Sequence, residues 1–200
     1  YLHEDGSLST DKPSGNDTIT YTFDPANPVP TVGGANLTFD RGPMDQRVIG
    51  DREDYLEFTT EALEDDVVIA GPVTMQLFGA TDGPDTDWTA KLVDVGPSGY
   101  AVNLCDGILR ARYRDSLTDP SLLEPGRVYA YTIDVGVTGN VFRKGHCIRL
   151  EISSSNFPRF DRNPNTGNTY GVDAQLRVAH QTVHHSADHP SHVRIPVIPA

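Results

Sequence analysis

The chain has 200 residues, two cysteines and a formal net charge of -12. A chain of this length can hide roughly 70% of its unfolded surface, so it needs neither disulfide nor metal staples to hold a core. Its acidic balance, with no basic stripe to offset it, repels phosphate backbones and anionic lipid, and so excludes nucleic acid and membrane surfaces as partners.

The opening stretch YLHEDGSLST has no basic n-region and no apolar h-region, so it does not read as a signal peptide. It lacks an initiator methionine and reads as cut from something longer. Residues 1–50 are rich in Gly, Pro, Asp, Asn and Thr and read as an extended arm or linker. One strand is expected there, TITYTF (18–23), with Ile19, Tyr21 and Phe23 on one face. DPANPVPTVGG follows as a stiff connector, because each proline restricts its own φ and the residue before it.

Residues 51–200 form the main domain. Short β-rich runs recur there: YLEFT, DVVIAG, VTMQLFGA, DWTAKLVDV, YAVNL, GILRARY, RVYAYTIDV, CIRLEIS, VAHQTVH and VRIPVI. In RVYAYTIDV, Val128, Ala130, Thr132 and Asp134 oppose Tyr129, Tyr131, Ile133 and Val135. Turn signals fall at Gly71-Pro72, Gly83-Pro84, Gly96-Pro97, Ser98-Gly99, Pro125-Gly126 and Gly139-Asn140. Only LEDDVV and SLLEP look helical. The pattern predicts an all-β fold, an antiparallel jelly-roll β-sandwich with an extended N-terminal arm. No run approaches 18 apolar residues, so no membrane-spanning helix is expected. Cys105 and Cys147 sit in apolar runs and read as buried free thiols. So few unpatterned cysteines suit a reducing, cytoplasmic compartment.

No stretch carries a convincing catalytic set. GPSGY (96–100) has a serine between glycines, but Gly99 falls one place too early for a nucleophile elbow and reads as a hairpin turn. HHSADHPSH (184–192) gathers His, Ser and Asp on one short stretch, where a triad needs groups converging from separate elements. His180 and His184 have the i, i+4 spacing of a zinc helix. Their segment reads as strand, where such residues lie about 13 Å apart. DRNPNTG places Asp161, Asn163 and Asn165 like the start of a calcium loop, yet Gly167 comes late and Val172 stands where a glutamate is needed. TDGPDTDW, with Asp82, Asp85 and Asp87, is a second acidic loop. For both, the simpler reading is a turn whose side chains bond their own backbone. No metal and no cofactor is expected.

The stretch SSSNFPRFDRNPNTGN (153–168) remains. Phe157 and Phe160 are flat anchors, Arg159 and Arg162 fork-shaped donors, and Pro158 and Pro164 stiffen the backbone. This composition suits a fixed corner packed on another surface.

GPMDQR (42–47), DTDWTAKLVDV, GILRARYR, NVFRKGHCIRLEISSSNFPRFDRNPNTG and HPSHVRIPVIP stand in an order that resembles one family over nearly the whole chain. They look like the C-terminal, non-catalytic domain of cocaine-esterase-type (CocE/NonD) hydrolases, to which the X-Pro dipeptidyl-peptidases are related. The esterase branch is favoured. Cys147, in GHCIRL, departs from the arginine or other polar residue more usual there. The resemblance implies a galactose-binding-like jelly roll that is inactive alone. Its partners would be the α/β-hydrolase and cap domains of the same parent chain. The parent's substrate would be a small acyl ester or peptide, attacked by a serine that this chain does not contain.

On the same resemblance, residues 1–50 are the arm leaving that hydrolase domain. Leu37 and Phe39 would supply apolar wall to the acyl pocket. Asn156, Phe157, Arg159, Phe160, Asp161, Arg162 and Asn163 would form a structural corner facing the hydrolase domain. An apolar patch is expected near Leu37, Phe39, Phe157 and Phe160. The alternative is a carbohydrate-binding jelly roll, which would need an exposed aromatic platform. Trp88 lies in an apolar pattern and is expected in the core instead. Sandwich edges leave a homo-oligomer open.

Overall fold

A computed structural model describes residues 1–37, 40–169 and 171–199. Among them are nine strands: β1 (Thr18–Phe23), β2 (Tyr55–Thr59), β3 (Val67–Thr81), β4 (Asp87–Val95), β5 (Ala101–Arg110), β6 (Tyr129–Phe142), β7 (Cys147–Ser153), β8 (Ala179–His184) and β9 (His192–Arg194). One sheet has the order β1-β8-β3-β6, with β9 also on β3, and the other has β2-β7-β4-β5. Every pairing is antiparallel. The first strand pairs with the eighth, the second with the seventh, the third with the sixth and the fourth with the fifth. That is one long hairpin rolled into two sheets, a jelly roll.

The alternation expected in β1 and β6 decides what faces the core. Tyr21 and Phe23 are buried, as are Tyr131, Ile133 and Val135, while their neighbours Ala130, Thr132 and Asp134 face solvent. Between the sheets lie Phe58, Met75, Leu77, Trp88, Leu92, Leu150 and Ile152. The Trp88 ring is fully buried, edge-on to Tyr21 at 6.4 Å and tilted on Tyr131 at 5.7 Å. It therefore offers no platform to a sugar.

Several expectations are corrected. Gly71-Pro72 is not a turn: DVVIAG and VTMQLFGA run together as β3, with Gly71 at φ 135° and a register shift between Val73 and Thr74 absorbing the proline. Gly139-Asn140 lies inside β6, opposite Ala70 and Ile69, and the chain turns at Lys144-Gly145 instead. YAVNL and the start of GILRARY are likewise one strand. LEDDVV and SLLEP form no helix. The Leu63 amide donates to His146 O and the Leu123 amide to Pro84 O, so tertiary partners take the donors that a short, poorly nucleated helix would need.

Much of the described part of residues 1–50 lies against the sandwich. Leu2, Leu8, Phe23 and Val29 are buried. The segment 1–9 covers the free edge of β2, where Leu8 N donates to Thr59 O and Thr59 N to Gly6 O. Among the described residues no helix is long and apolar enough to cross a membrane.

Both cysteines are free, but each is half-buried rather than fully buried. For Cys105 on β5, burial first, then the Asp106 and Asp134 carboxylates, pushes the thiol up to about 12. Because the thiolate is the nucleophile, iodoacetamide at about pH 8 is expected to leave Cys105 unmodified in the folded chain and to alkylate it after unfolding. Peptide mass spectrometry reads the difference; rapid native labelling at Cys105 would contradict the burial of this thiol.

Candidate interdomain site

The outer face of the second sheet should be wet by its pattern, since Asp87, Thr89 and Lys91 alternate with Trp88, Ala90 and Leu92 along β4. All six are buried. Two segments cover Asp87, Thr89 and Lys91, the arm over residues 25–34 and 42–46 and the corner over 155–165.

These segments are zipped to one another. Val29 N donates to Ser155 Oγ at 2.9 Å, Phe157 N to Val29 O at 2.9 Å and Thr31 N to Phe157 O at 2.7 Å. Arg159 N donates to Thr31 Oγ1 at 3.1 Å and Arg162 Nη1 to Pro25 O at 3.0 Å. The Phe157–Pro158 peptide is cis. Arg159 pairs with the Asp106 carboxylate on β5, and Asn156 Nδ2 donates to the same carboxylate at 2.9 Å. The Arg159 guanidinium also lies over the Phe160 ring, 4.9 Å from its centroid. Asn156 and Asn163 are buried, Phe160 is half-buried, and Phe157, Asp161 and Arg162 are exposed.

A hairpin stands on this base. Gly34 and Gly42 exchange both backbone hydrogen bonds at 2.9 Å, closing the loop 35–41. Gly34 rests directly on the Asp106–Arg159 pair: a Cβ there would lie 3.0 Å from Arg159 Nη1 and from Asp106 Oδ1, and its φ is +85°. Asn36 Nδ2 braces the loop through Gly33 O and Asp40 O. On the far side Met44 N donates to Asn103 Oδ1 at 2.7 Å, and Gln46 Oε1 accepts from Lys91 Nζ at 2.6 Å. Arg47 grips the Asp45 carboxylate with Nε and Nη2, which holds that carboxyl down at about 2. Leu37, within the loop, is 89% exposed. Phe39, its expected companion, lies outside the described residues.

The other half of the corner reaches under the sheet's end. Asn163 Nδ2 donates to Asp85 Oδ2 and to Asp87 Oδ1, both at 2.8 Å. Arg112 Nε donates to Asp85 Oδ2 at 2.8 Å, and Arg110 Nε and Nη2 fork onto Asp87 at 2.9 and 3.0 Å. Burial pushes the Asp87 carboxyl above its ordinary value, against the pull of Arg110 and Asn163. Arg177 Nη1 donates to Asp82 Oδ1 at 3.0 Å, so the acidic loop TDGPDTDW is answered by three guanidiniums and an amide from inside the chain. Asn163 Oδ1 accepts from Asn165 N at 2.9 Å, so the would-be calcium loop is a turn bonded to its own backbone. No group of three metal-ligating side chains occurs among the described residues.

Within HHSADHPSH no histidine ring hydrogen-bonds a serine hydroxyl among the described residues; Ser186 Oγ accepts from the His189 backbone amide instead. His180 and His184 are both on β8, as strand reading requires; the His184 ring meets His189 at 5.3 Å and His185 is buried against Phe58. The buried charged layer is what sequence reasoning missed. Its available signal was the cross-strand placement of Asp87 opposite Arg110, a pair that only the β4–β5 register reveals.

The structure is thus an antiparallel jelly-roll β-sandwich module whose polar outer face is roofed by its own arm and corner. The chain belongs to the family described as the X-Pro dipeptidyl-peptidase C-terminal non-catalytic domain, whose model matches residues 1–194. It is 47% identical over 197 residues to the cocaine esterase of Rhodococcus sp. (strain MB1 Bresler), covering 96% of this chain and 34% of that protein. Among solved structures it resembles an aminopeptidase from a marine sediment Thaumarchaeota archaeon, at TM-score 0.91 and 33% identity over 100% of this chain and 36% of that one. It also resembles an alpha-amino acid ester hydrolase, at TM-score 0.88 and 32% identity over 99% of this chain and 36% of that one. The chain thus spans about a third of the length of each of these relatives.

Proposed function

We propose that this domain packs on the catalytic domain of a serine hydrolase, an acyl esterase or an X-Pro dipeptidyl-peptidase-like enzyme, and helps shape its acyl pocket. In this reading Leu37 and Phe39 supply apolar wall to the substrate's acyl group. The corner from Asn156 to Asn163 holds their loop at a fixed height and faces the hydrolase and cap domains. The observation that carries this is Leu37, a leucine left 89% exposed on a loop whose two ends are bonded down. Pockets form readily where domains meet, and an apolar side chain held out from a rigid base is suited to line one. The family description and the esterase and hydrolase names of the relatives point to the same partner.

The test needs the longer protein that contains residues 1–200. Leu37→Ser is expected to lower kcat/KM for a p-nitrophenyl acyl ester about tenfold or more, chiefly through KM, since a lost apolar contact costs about that much discrimination. The thermal midpoint should not move, because Leu37 touches little of its own domain. Phe39→Ala should behave alike, and the 200-residue chain alone should turn over nothing. Unchanged kcat/KM in both variants would refute the pocket-wall role.

A further inference from the structure

A groove on the outer face of the first sheet departs from the rest of the surface in its charge. It has a volume of about 740 Å³ and is lined by Phe78, Ala130, Pro190 and Val193, by the Tyr1 and His192 rings, and by Lys12 and Arg194. The Tyr1 and His192 rings lie together, 5.1 Å between centroids. Pairing sets Phe78 of β3 beside Ala130 of β6, and Gln76 and Thr74 of β3 beside His192 and Arg194 of β9. No aspartate or glutamate lines the groove. The chain as a whole carries a net charge of -12, and its cavities at the sheet's end, beside the N-terminal segment and along β2 are each lined by carboxylates.

The two cations of the groove are also unspent. Lys12 and Arg194 are exposed and make no ion pair or hydrogen bond among the described residues. Every other arginine holds a carboxylate or a backbone carbonyl. Asp134 shares a row with Arg194 but stands two strands away with Thr74 between, about 10 Å by the spacing of strands. It accepts from Gly136 N instead. The neutral polar groups are committed within the fold. Gln76 Nε2 donates to Tyr131 O and Gln76 Oε1 accepts from Thr132 Oγ1, both at 3.2 Å, and Ser9 Oγ accepts from Asp11 N at 3.1 Å. A sugar needs free amides and hydroxyls to meet its own, and finds few here. An apolar lining beside two free cations is complementary to a molecule with a hydrophobic body and an anionic head. The fork of a guanidinium suits a carboxylate in particular, and a groove of this volume is of the size that takes a small molecule.

We propose that this groove binds a small amphiphilic carboxylate, an aryl or short alkyl acid. Arg194 and Lys12 hold its carboxylate, and its apolar body lies on Phe78 and Tyr1.

Titration of the chain with phenylpropionate, followed residue by residue in amide proton–nitrogen NMR spectra, tests this. Saturable shifts are expected at Gln76, Phe78, His192 and Val193. The neutral counterpart phenylpropanol should bind about tenfold more weakly, the factor that a hydrogen bond to a charged group supplies. Combining Lys12→Gln with Arg194→Gln should bring the acid down to the affinity of the alcohol. Lys144→Gln, an exposed cation at the turn between β6 and β7, should change nothing. All three side chains are exposed, so the variants keep the fold, which circular dichroism verifies. Equal affinity for acid and alcohol in the unmodified chain would overturn the proposal, as would acid binding that survives the double change. Shifts at these amides with polyglutamate or an oligogalacturonate, but none with phenylpropionate, would assign the groove to a macromolecule and refute it too.

Discussion

Asp85→Ala is expected to lower stability by about 3–5 kcal/mol, because it removes one partner of a buried ion pair and strands the other. Asp85 is fully buried, and its carboxylate accepts from Arg112 N, Arg112 Nε and Asn163 Nδ2. Without it the Arg112 guanidinium, 11% exposed, keeps, among the described residues, only the Asn168 carbonyl at 3.0 Å. For a chain of this size the thermal midpoint should fall by roughly 10 °C. Adding Arg112→Ala to Asp85→Ala should cost less than the two single losses combined, since the second change removes the stranded charge. Thermal unfolding followed by circular dichroism measures all three. A loss of only about 1 kcal/mol, the worth of an exposed pair, would mean that water reaches Arg112 and that the corner is no seal.

Gly107→Ala should be at least as damaging. Gly107 lies on β5 where that strand passes the backbone of β6. An added Cβ would sit 1.8 Å from Asp134 O and 2.8 Å from its carbonyl carbon. Neither neighbour is a side chain that can swing away, so one sheet must shift against the other. Overpacking ordinarily costs about 1–3 kcal/mol, and a backbone obstacle places this change at or beyond the top of that range. Gly96→Ala is the matched control: its Cβ would meet nothing closer than Tyr100 O at 3.7 Å, and its effect should stay within about 0.5 kcal/mol. Equal midpoints for the two variants would refute the close approach of β5 and β6.

Much of the sandwich is legible in the residues. β4 and β7 coincide with DWTAKLVDV and CIRLEIS, and β1 with TITYTF, because each is bounded by clear turn residues. Of the three strands that the sequence pattern divides or shortens, β3 and β6 carry Gly-Pro or Gly-Asn inside them. Those dipeptides signal a turn locally, and only the long pairing of β3 with β6 overrides them. The corner is legible as a rigid polar feature but not by its partners. Asn163 reaches Asp85 and Asp87 across 78 and 76 residues of chain. Polar alternation along β4 looks like a solvent face until the arm is laid over it. No local pattern announces that Val29 will meet Ser155, 126 residues away.

The rolled hairpin sets an order of events for the growing chain. Thr22 of β1 finds its partner in His180, 158 residues later. Such non-local pairings carry a heavy loop-closure cost and fold slowly. While the chain is being made, β1 must wait, unpaired, until almost the whole domain has left the ribosome. During that interval Tyr21 and Phe23 stay uncovered, so this stretch, at the entrance of the domain, is where holding chaperones or mispairing would act first.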